Sequence, residues 1–133
     1  MNGEDGYEFW ADAYLYDNLR PREDALKYIP KIIEMGYKIV FVSQIFPTHA
    51  LSKTNFLNKW FPAHSGIIFT EQKEYVSYDL FIDDSIHQLN KQKDPSKVIQ
   101  FRNDYIHKEL PLHNYKLVYA WDQIYTELER GEI

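Results

Sequence analysis

Between residues 22 and 130 the chain alternates two periodicities, and that alternation constrains its fold more than any other feature. Ala25, Leu26, Ile29, Ile32 and Ile33 recur at the spacing that lines one face of a helix. Residues 22–35 are therefore predicted helical, with Asp17 or Asn18 as cap and Gly36 as stop. Pro30 lies inside this pattern and is expected to bend the helix or tighten its middle. Residues 38–43 (Lys-Ile-Val-Phe-Val-Ser) are short, β-branched and aromatic, the composition of a buried strand. The alternation then repeats. Residues 48–60 carry Leu51, Phe56, Leu57 and Trp60 on one helical side, and Pro62 closes them. Gly66–Thr70 and Asp79–Asp83 read as strands, Ser85–Leu89 as one helical turn, and Lys97–Phe101 as a fourth strand after Asp94-Pro95. Lys116–Tyr119 reads as a short edge strand. Trp121–Arg130 reads as a terminal helix with Ile124, Tyr125 and Leu128 inward and Gly131 ending it. Strands that alternate with helices bury best as a parallel sheet with helices on both faces, an α/β three-layer architecture.

Residues 1–20 do not share this order. Asn2-Gly3 and Asp5-Gly6 are turn signals, and Tyr7, Phe9, Trp10, Tyr14, Leu15 and Tyr16 suit a short helix or an arm over the core. The chain has 133 residues, a single domain's length, and its 44% hydrophobic content is enough for a core. Acidic residues outnumber basic ones, 20 to 15, which argues against general binding of nucleic-acid backbones. Cysteine is absent, so disulfide and thiolate chemistry are excluded. No long apolar run and no export signal appears, which predicts no membrane partner and a cytoplasmic protein.

In open parallel sheets the chemistry sits beyond the carboxyl ends of the strands. Ser43, Thr70, Asp83 and Asp84 all fall at such ends. Singly each has a plain structural use, as turn former or helix cap. Together with Lys73 they supply a hydroxyl, a cation and a carboxylate pair, groups that bind a phosphate and a hard cation such as Mg²⁺. The five histidines, His49, His64, His87, His107 and His113, show no metal-ligand spacing and are expected in packing or surface roles. Asn103, Asp104 and His107 follow the fourth strand and could approach the site.

Residues 69–84, with Lys73 preceding a strand that ends in Asp83-Asp84, are similar to the 5'(3')-deoxyribonucleotidases of the haloacid-dehalogenase (HAD) superfamily. Val40-Phe-Val-Ser-Gln44 resembles that superfamily's second motif, a hydrophobic strand ending in Thr or Ser. Asn18-Leu-Arg-Pro21, followed by Ala25 and a helix, resembles the return from cap to core. The resemblance covers roughly residues 9–101. It implies a HAD-like (Rossmannoid) fold over residues 1–133, with 1–20 the remnant of a cap or arm and 21–133 the core. It implies that Ser43 and Lys73 bind phosphate, that Asp83 and Asp84 hold Mg²⁺, and that Phe9 and Trp10 are the candidates to stack a base.

The superfamily's first motif, a strand ending in Asp-x-Asp-Gly whose first Asp attacks phosphorus, is not found. Gly3-Glu-Asp-Gly6 is a superficial echo, with Gly3 in the nucleophile's place and two residues before it. In this fold that strand lies at the sheet's centre, between residues 38–43 and 79–83, so the central first strand is expected to be missing. Its loss leaves backbone groups to be paired by direct contact of the flanking strands, by another chain, or by a segment of a longer protein. The expectation is a nucleotidase-like protein, inactive alone, that binds deoxynucleotide or phosphate. Such a protein would act as a binding and interaction module, meeting a protein partner or itself through an unpaired sheet edge. The alternative is a fragment of a Mg²⁺-dependent deoxynucleoside monophosphate phosphatase whose N-terminal segment is absent.

Overall fold

The computed structural model describes residues 19–45, 47–102 and 109–133. The aromatic arm with Phe9 and Trp10, the caps Asp17 and Asn18, and Asn103, Asp104 and His107 lie outside these residues.

Helix α1 spans Glu23–Glu34, with Glu23 and Asp24 in its first turn and Lys31 in its last, charges that suit the helix dipole. It runs unbroken through Pro30, whose missing N–H falls on the exposed side. Gly36, at φ 103°, turns the chain out of the helix in a conformation that few other residues adopt. Strand β1 (Val40–Ser43) follows, two residues shorter than its apolar run, because its ladder begins where its partner strand begins. A 3₁₀ turn at Pro47–His49 leads into α2 (Ala50–Trp60). Strand β2 spans Gly66–Phe69, and a further 3₁₀ turn, not evident in the sequence, holds Lys73–Tyr75. Strand β3 (Phe81–Asp83) runs into α3 (Ile86–Asn90), which Ser85 caps by accepting from the Gln88 N–H. Strands β4 (Val98–Phe101) and β5 (Lys116–Val118) precede α4 (Trp121–Arg130), whose bounds match the sequence reading. Gly131, at φ 72°, closes α4, and the Glu132 N–H reaches back to the Glu127 carbonyl at 2.8 Å.

All described strand pairs are parallel, but they form two sheets, β1-β2 and β3-β4-β5. The larger sheet is covered on both faces, as strand alternation demands. Phe81 and Val98 turn to Ile86 and Leu89 of α3, while Ile82 and Ile99 turn to Ile32 of α1 and Ile124 and Leu128 of α4. A third cluster packs Ala25 and Ile29 of α1 with Leu57 and Phe61 against Phe41 and Ile67 of the small sheet. Ile39 and Trp121 pack against both the first and the third cluster and so join the two halves.

Direct pairing of β1 with β3 is not what the described residues show. The Thr70 N–H bonds to the Ser43 carbonyl at 3.0 Å, so Ser43 and Phe41 face β2, and Val40 and Val42 turn their backbone groups to the other edge. The Arg102 N–H bonds to the Val118 carbonyl at 2.8 Å, so even-numbered β4 residues face β5 and odd-numbered ones face β3. Phe81 and Asp83 of β3 then face β4, and the Ile82 backbone turns to an edge that no described strand pairs.

Candidate functional site

The carboxyl end of β3 is the chemical centre. Asp83 is its last residue, and the Lys73 ammonium Nζ lies 2.8 Å from Asp83 Oδ2. Both side chains are about nine-tenths buried, at 10% and 9% exposure, so water screens this pair little. The Ser85 N–H donates to Asp83 Oδ1 at 3.0 Å, leaving each oxygen of this carboxylate with a donor. Asp84 stands beside it and is more open to solvent. Burial, then the neighbouring Asp83 charge and a hydrogen bond with Asp83, push the Asp84 carboxyl above the usual range, against the pull of Lys73.

Lys53 on α2 belongs to the same charge cluster. Burial and the like charge of Lys73 lower its ammonium to about 8, opposed by Asp84. The sequence reading missed Lys53, because nothing in its helical register separates it from a solvated surface lysine.

Three loops meet over Gln88 of α3, which is 2% exposed. Its Nε2 donates to Gln44 Oε1 at 3.2 Å, just after β1, and to the Glu71 carbonyl at 3.1 Å, just after β2. The Gln92 side chain donates to the Gln88 carbonyl at 2.9 Å and accepts from the Tyr78 hydroxyl at 2.7 Å. Lys91 also reaches the Glu71 carbonyl, at 2.8 Å. The loop that carries Lys73 is thus fastened to the helix that follows the aspartate pair.

Between the two sheets opens a cleft of about 290 Å³, lined by Val42, Ile82, Lys73, Asp83, Asp84, Arg22, Phe101 and Trp121. A larger void of about 370 Å³ lies among Asp79, Leu80, Ser96, Lys97, Lys116 and Ile133. It sits at the amino ends of the strands, away from the ion pair, so the smaller cleft is the candidate site.

The family model for 5' nucleotidase, deoxy (pyrimidine), cytosolic type C proteins matches residues 2–128. The chain belongs to this family. The match is to a deoxynucleotidase family of HAD type, in agreement with the parallel α/β fold. No curated protein matches the chain.

Within this deoxynucleotidase-like fold, the structure brings Lys73, Asp83 and Asp84 to one cleft. Ser43 ends β1 one residue beyond Val42, which lines that cleft, and its main-chain oxygen is used by Thr70. No described contact joins the Ser43 hydroxyl to Lys73 or Asp83. Arg22, Phe101, Trp121, Lys53 and Gln88 are additions that the sequence reading did not single out. Among the described residues, no group of three or more His, Asp or Glu is arranged to hold a metal. The groups that could hold Mg²⁺ are the adjacent carboxylates of Asp83 and Asp84, the second of which burial and then the Asp83 charge push up. Two carboxylates fit an ion that completes its shell with water and phosphate oxygens, as Mg²⁺ commonly does, rather than an all-protein cage. The described histidines serve elsewhere. His49 is fully buried, His64 lies 2.7 Å from Asn58 Oδ1, and His87 lies 2.5 Å from Glu109.

Proposed function

We propose that this deoxynucleotidase-like chain binds a deoxynucleoside monophosphate in the cleft between its sheets and does not hydrolyse it on its own. The observation that carries this reading is the Lys73–Asp83 pair, at 2.8 Å, beside Asp84 in an open cleft. Lys73 and Lys53 would neutralise phosphate oxygens, with Ser43 as a hydroxyl donor at the end of β1. Asp83 and Asp84 would share a Mg²⁺ ion with the phosphate, and that ion would supply charge neutralisation.

Covalent phosphoryl transfer needs an oxygen nucleophile, which neighbouring groups polarise but do not replace. The sequence contains no Asp-x-Asp. Asp83 is a poor substitute, because Lys73 and the Ser85 N–H draw charge from its two oxygens, though each keeps a lone pair free for a metal ion. A cytoplasmic location is part of the same proposal; among the described residues no helix is long and apolar enough to cross a membrane.

The outward-turned backbones of Val40, Val42 and Ile82, which no described strand pairs, favour a role in interaction as well, since an unpaired strand edge accepts an added strand from a partner or a second copy. The same edges support a second reading, in which a further segment supplies both the strand and the attacking carboxylate of a Mg²⁺-dependent deoxynucleoside monophosphate phosphatase.

Purified protein is expected to bind inorganic phosphate in the presence of Mg²⁺, more weakly in Lys73→Met, and to release no phosphate from dUMP or dTMP. Turnover that disappears in Asp83→Ala would overturn the reading. Turnover that appears only when an apolar peptide ending in Asp-x-Asp is added would establish the second one.

A further inference from the structure

We propose that the void at the amino ends of β3, β4 and β5 is a second binding site, which takes a small zwitterion with an aliphatic body, the chemistry of an apolar amino acid. The site lies apart from the phosphate cleft and does not depend on the phosphate reading. Its volume is about 370 Å³, larger than the cleft at about 290 Å³. Small-molecule sites begin at about 300 Å³, so there is room for one such ligand.

The void exists because α4 stops short of the strand ends. Gly131, at φ 72°, ends the helix, and the chain turns back so that Ile133 packs on the core cluster of Ile99 and Ile124. Leu80, just before β3, packs on the same cluster. Ile99 is buried, while Leu80 and Ile133 are half-buried. These three side chains give the void an apolar wall. An aliphatic group laid against it leaves water together with the surface it covers.

The rim is charged. Asp79, Lys97, Lys116 and Glu132 all line it, and all four are exposed. Two of them already have partners. Lys116 pairs with Glu127 of α4, and Glu132 lies 3.7 Å from Arg130. Asp79 and Lys97 form no ion pair among the described residues. Lys97 ends a 3₁₀ turn at Pro95–Lys97 and acts on Asp94 only at a distance. Asp79 and Lys97 precede neighbouring parallel strands, whose register sets Phe81 against Val98. Opposite charges thus reach one mouth without pairing to each other. An ammonium and a carboxylate on one small molecule satisfy both, with Asp79 taking the first and Lys97 the second. A plain fatty acid leaves its carboxylate beside Asp79 without compensation, and a plain amine does the same at Lys97.

The test is a titration of the full chain with leucine at neutral pH, followed through backbone amide resonances. Three analogues serve as controls. Glycine lacks the aliphatic body, 4-methylpentanoate lacks the ammonium, and 3-methylbutylamine lacks the carboxylate. Leucine is expected to give saturating shifts at residues 79–80, 97–99 and 132–133, with an affinity on the order of millimolar. Glycine should bind at least about tenfold more weakly. Each singly charged analogue should bind about three- to fivefold more weakly, the scale of an exposed ion pair. Lys97→Met should lower leucine to the level of 3-methylbutylamine, and Asp79→Asn to the level of 4-methylpentanoate. Both positions are exposed, so the fold should tolerate either change. Absence of saturation at tens of millimolar leucine would overturn the site. So would glycine or either singly charged analogue binding as tightly as leucine, or leucine affinity unchanged in both variants. Leucine shifts confined to Lys73, Asp83 and Asp84 would overturn it as well.

Discussion

Gln88 Nε2 lies 3.1 Å from the main-chain oxygen of Glu71. A carbonyl only accepts, so this contact fixes which way the Gln88 amide points and leaves its Oε1 buried without a protein donor. The same Nε2 bonds Gln44 from a side chain 2% exposed, so one amide governs the loops after β1 and β2 together. Gln88→Leu should therefore raise amide hydrogen exchange at residues 44–45 and 70–73 together. Global stability should fall by about 1–3 kcal/mol at most, because a buried orphan oxygen is removed with the bonds. Unchanged exchange in either loop would show that Gln88 does not hold them.

The Lys73–Asp83 pair should be strongly coupled. Lys73→Met leaves a carboxylate at 9% exposure without its cation, a loss of about 3–5 kcal/mol in urea unfolding. The double variant Lys73→Met/Asp83→Leu should recover most of that loss, since no charge is then buried alone. Additive losses would mean that the two side chains stabilise the fold independently.

Asp24 carries an acid-sensitive part of stability. Burial pushes its carboxyl up, but the Trp121 N–H and Arg22 outweigh burial and hold it below the usual value. A depressed folded pKa means that this stabilisation is present above the unfolded value, about 3.9. It is lost as pH falls through the lower folded value. Asp24→Asn should be less stable at neutral pH by about 1 kcal/mol, as for a lost helix cap. It should also show a shallower loss on acidification. An unaltered acid profile would remove Asp24 from this role.

Lys53 predicts stability that also rises with pH, in an alkaline window. Its folded value of about 8 lies below the unfolded one, about 10.4, so the unfolded chain binds the extra proton between them. Stability should rise with pH across that window. Lys53→Met should abolish the rise, make the ligand-free protein more stable at neutral pH, and weaken inorganic phosphate binding. Stability measured from pH 7 to 10 in both proteins, with phosphate titration at neutral pH, checks all three outcomes.

The sequence was most readable where local chemistry and tertiary packing agree. Helix α4 follows its periodicity to the residue, because Gly131 supplies the left-handed stop that its last turn needs. The order of Lys73 and the Asp83-Asp84 strand end carried the resemblance to deoxynucleotidases, and the family match shows that membership. That Lys73 spends its charge on Asp83 was not legible, since ten residues of loop and strand separate them and only the fold sets their distance. Arg22 and Trp121 lie still further apart in sequence, and Asp24, which fixes both, reads locally as an ordinary first-turn acid. Strand lengths were overestimated because apolar runs record burial, whereas a strand ends where its partner's backbone ends.

The division into two sheets has a mechanical consequence. Within each half, parallel ladders fix the spacing of the strands. Across the divide, the described junction is made by Ile39 and Trp121, by α1 packed on both sheets, by the Lys73–Asp83 pair and by the Gln88 bonds to Gln44 and Glu71. The distance between the halves is therefore set by side chains, and no ladder bond between described strands crosses it.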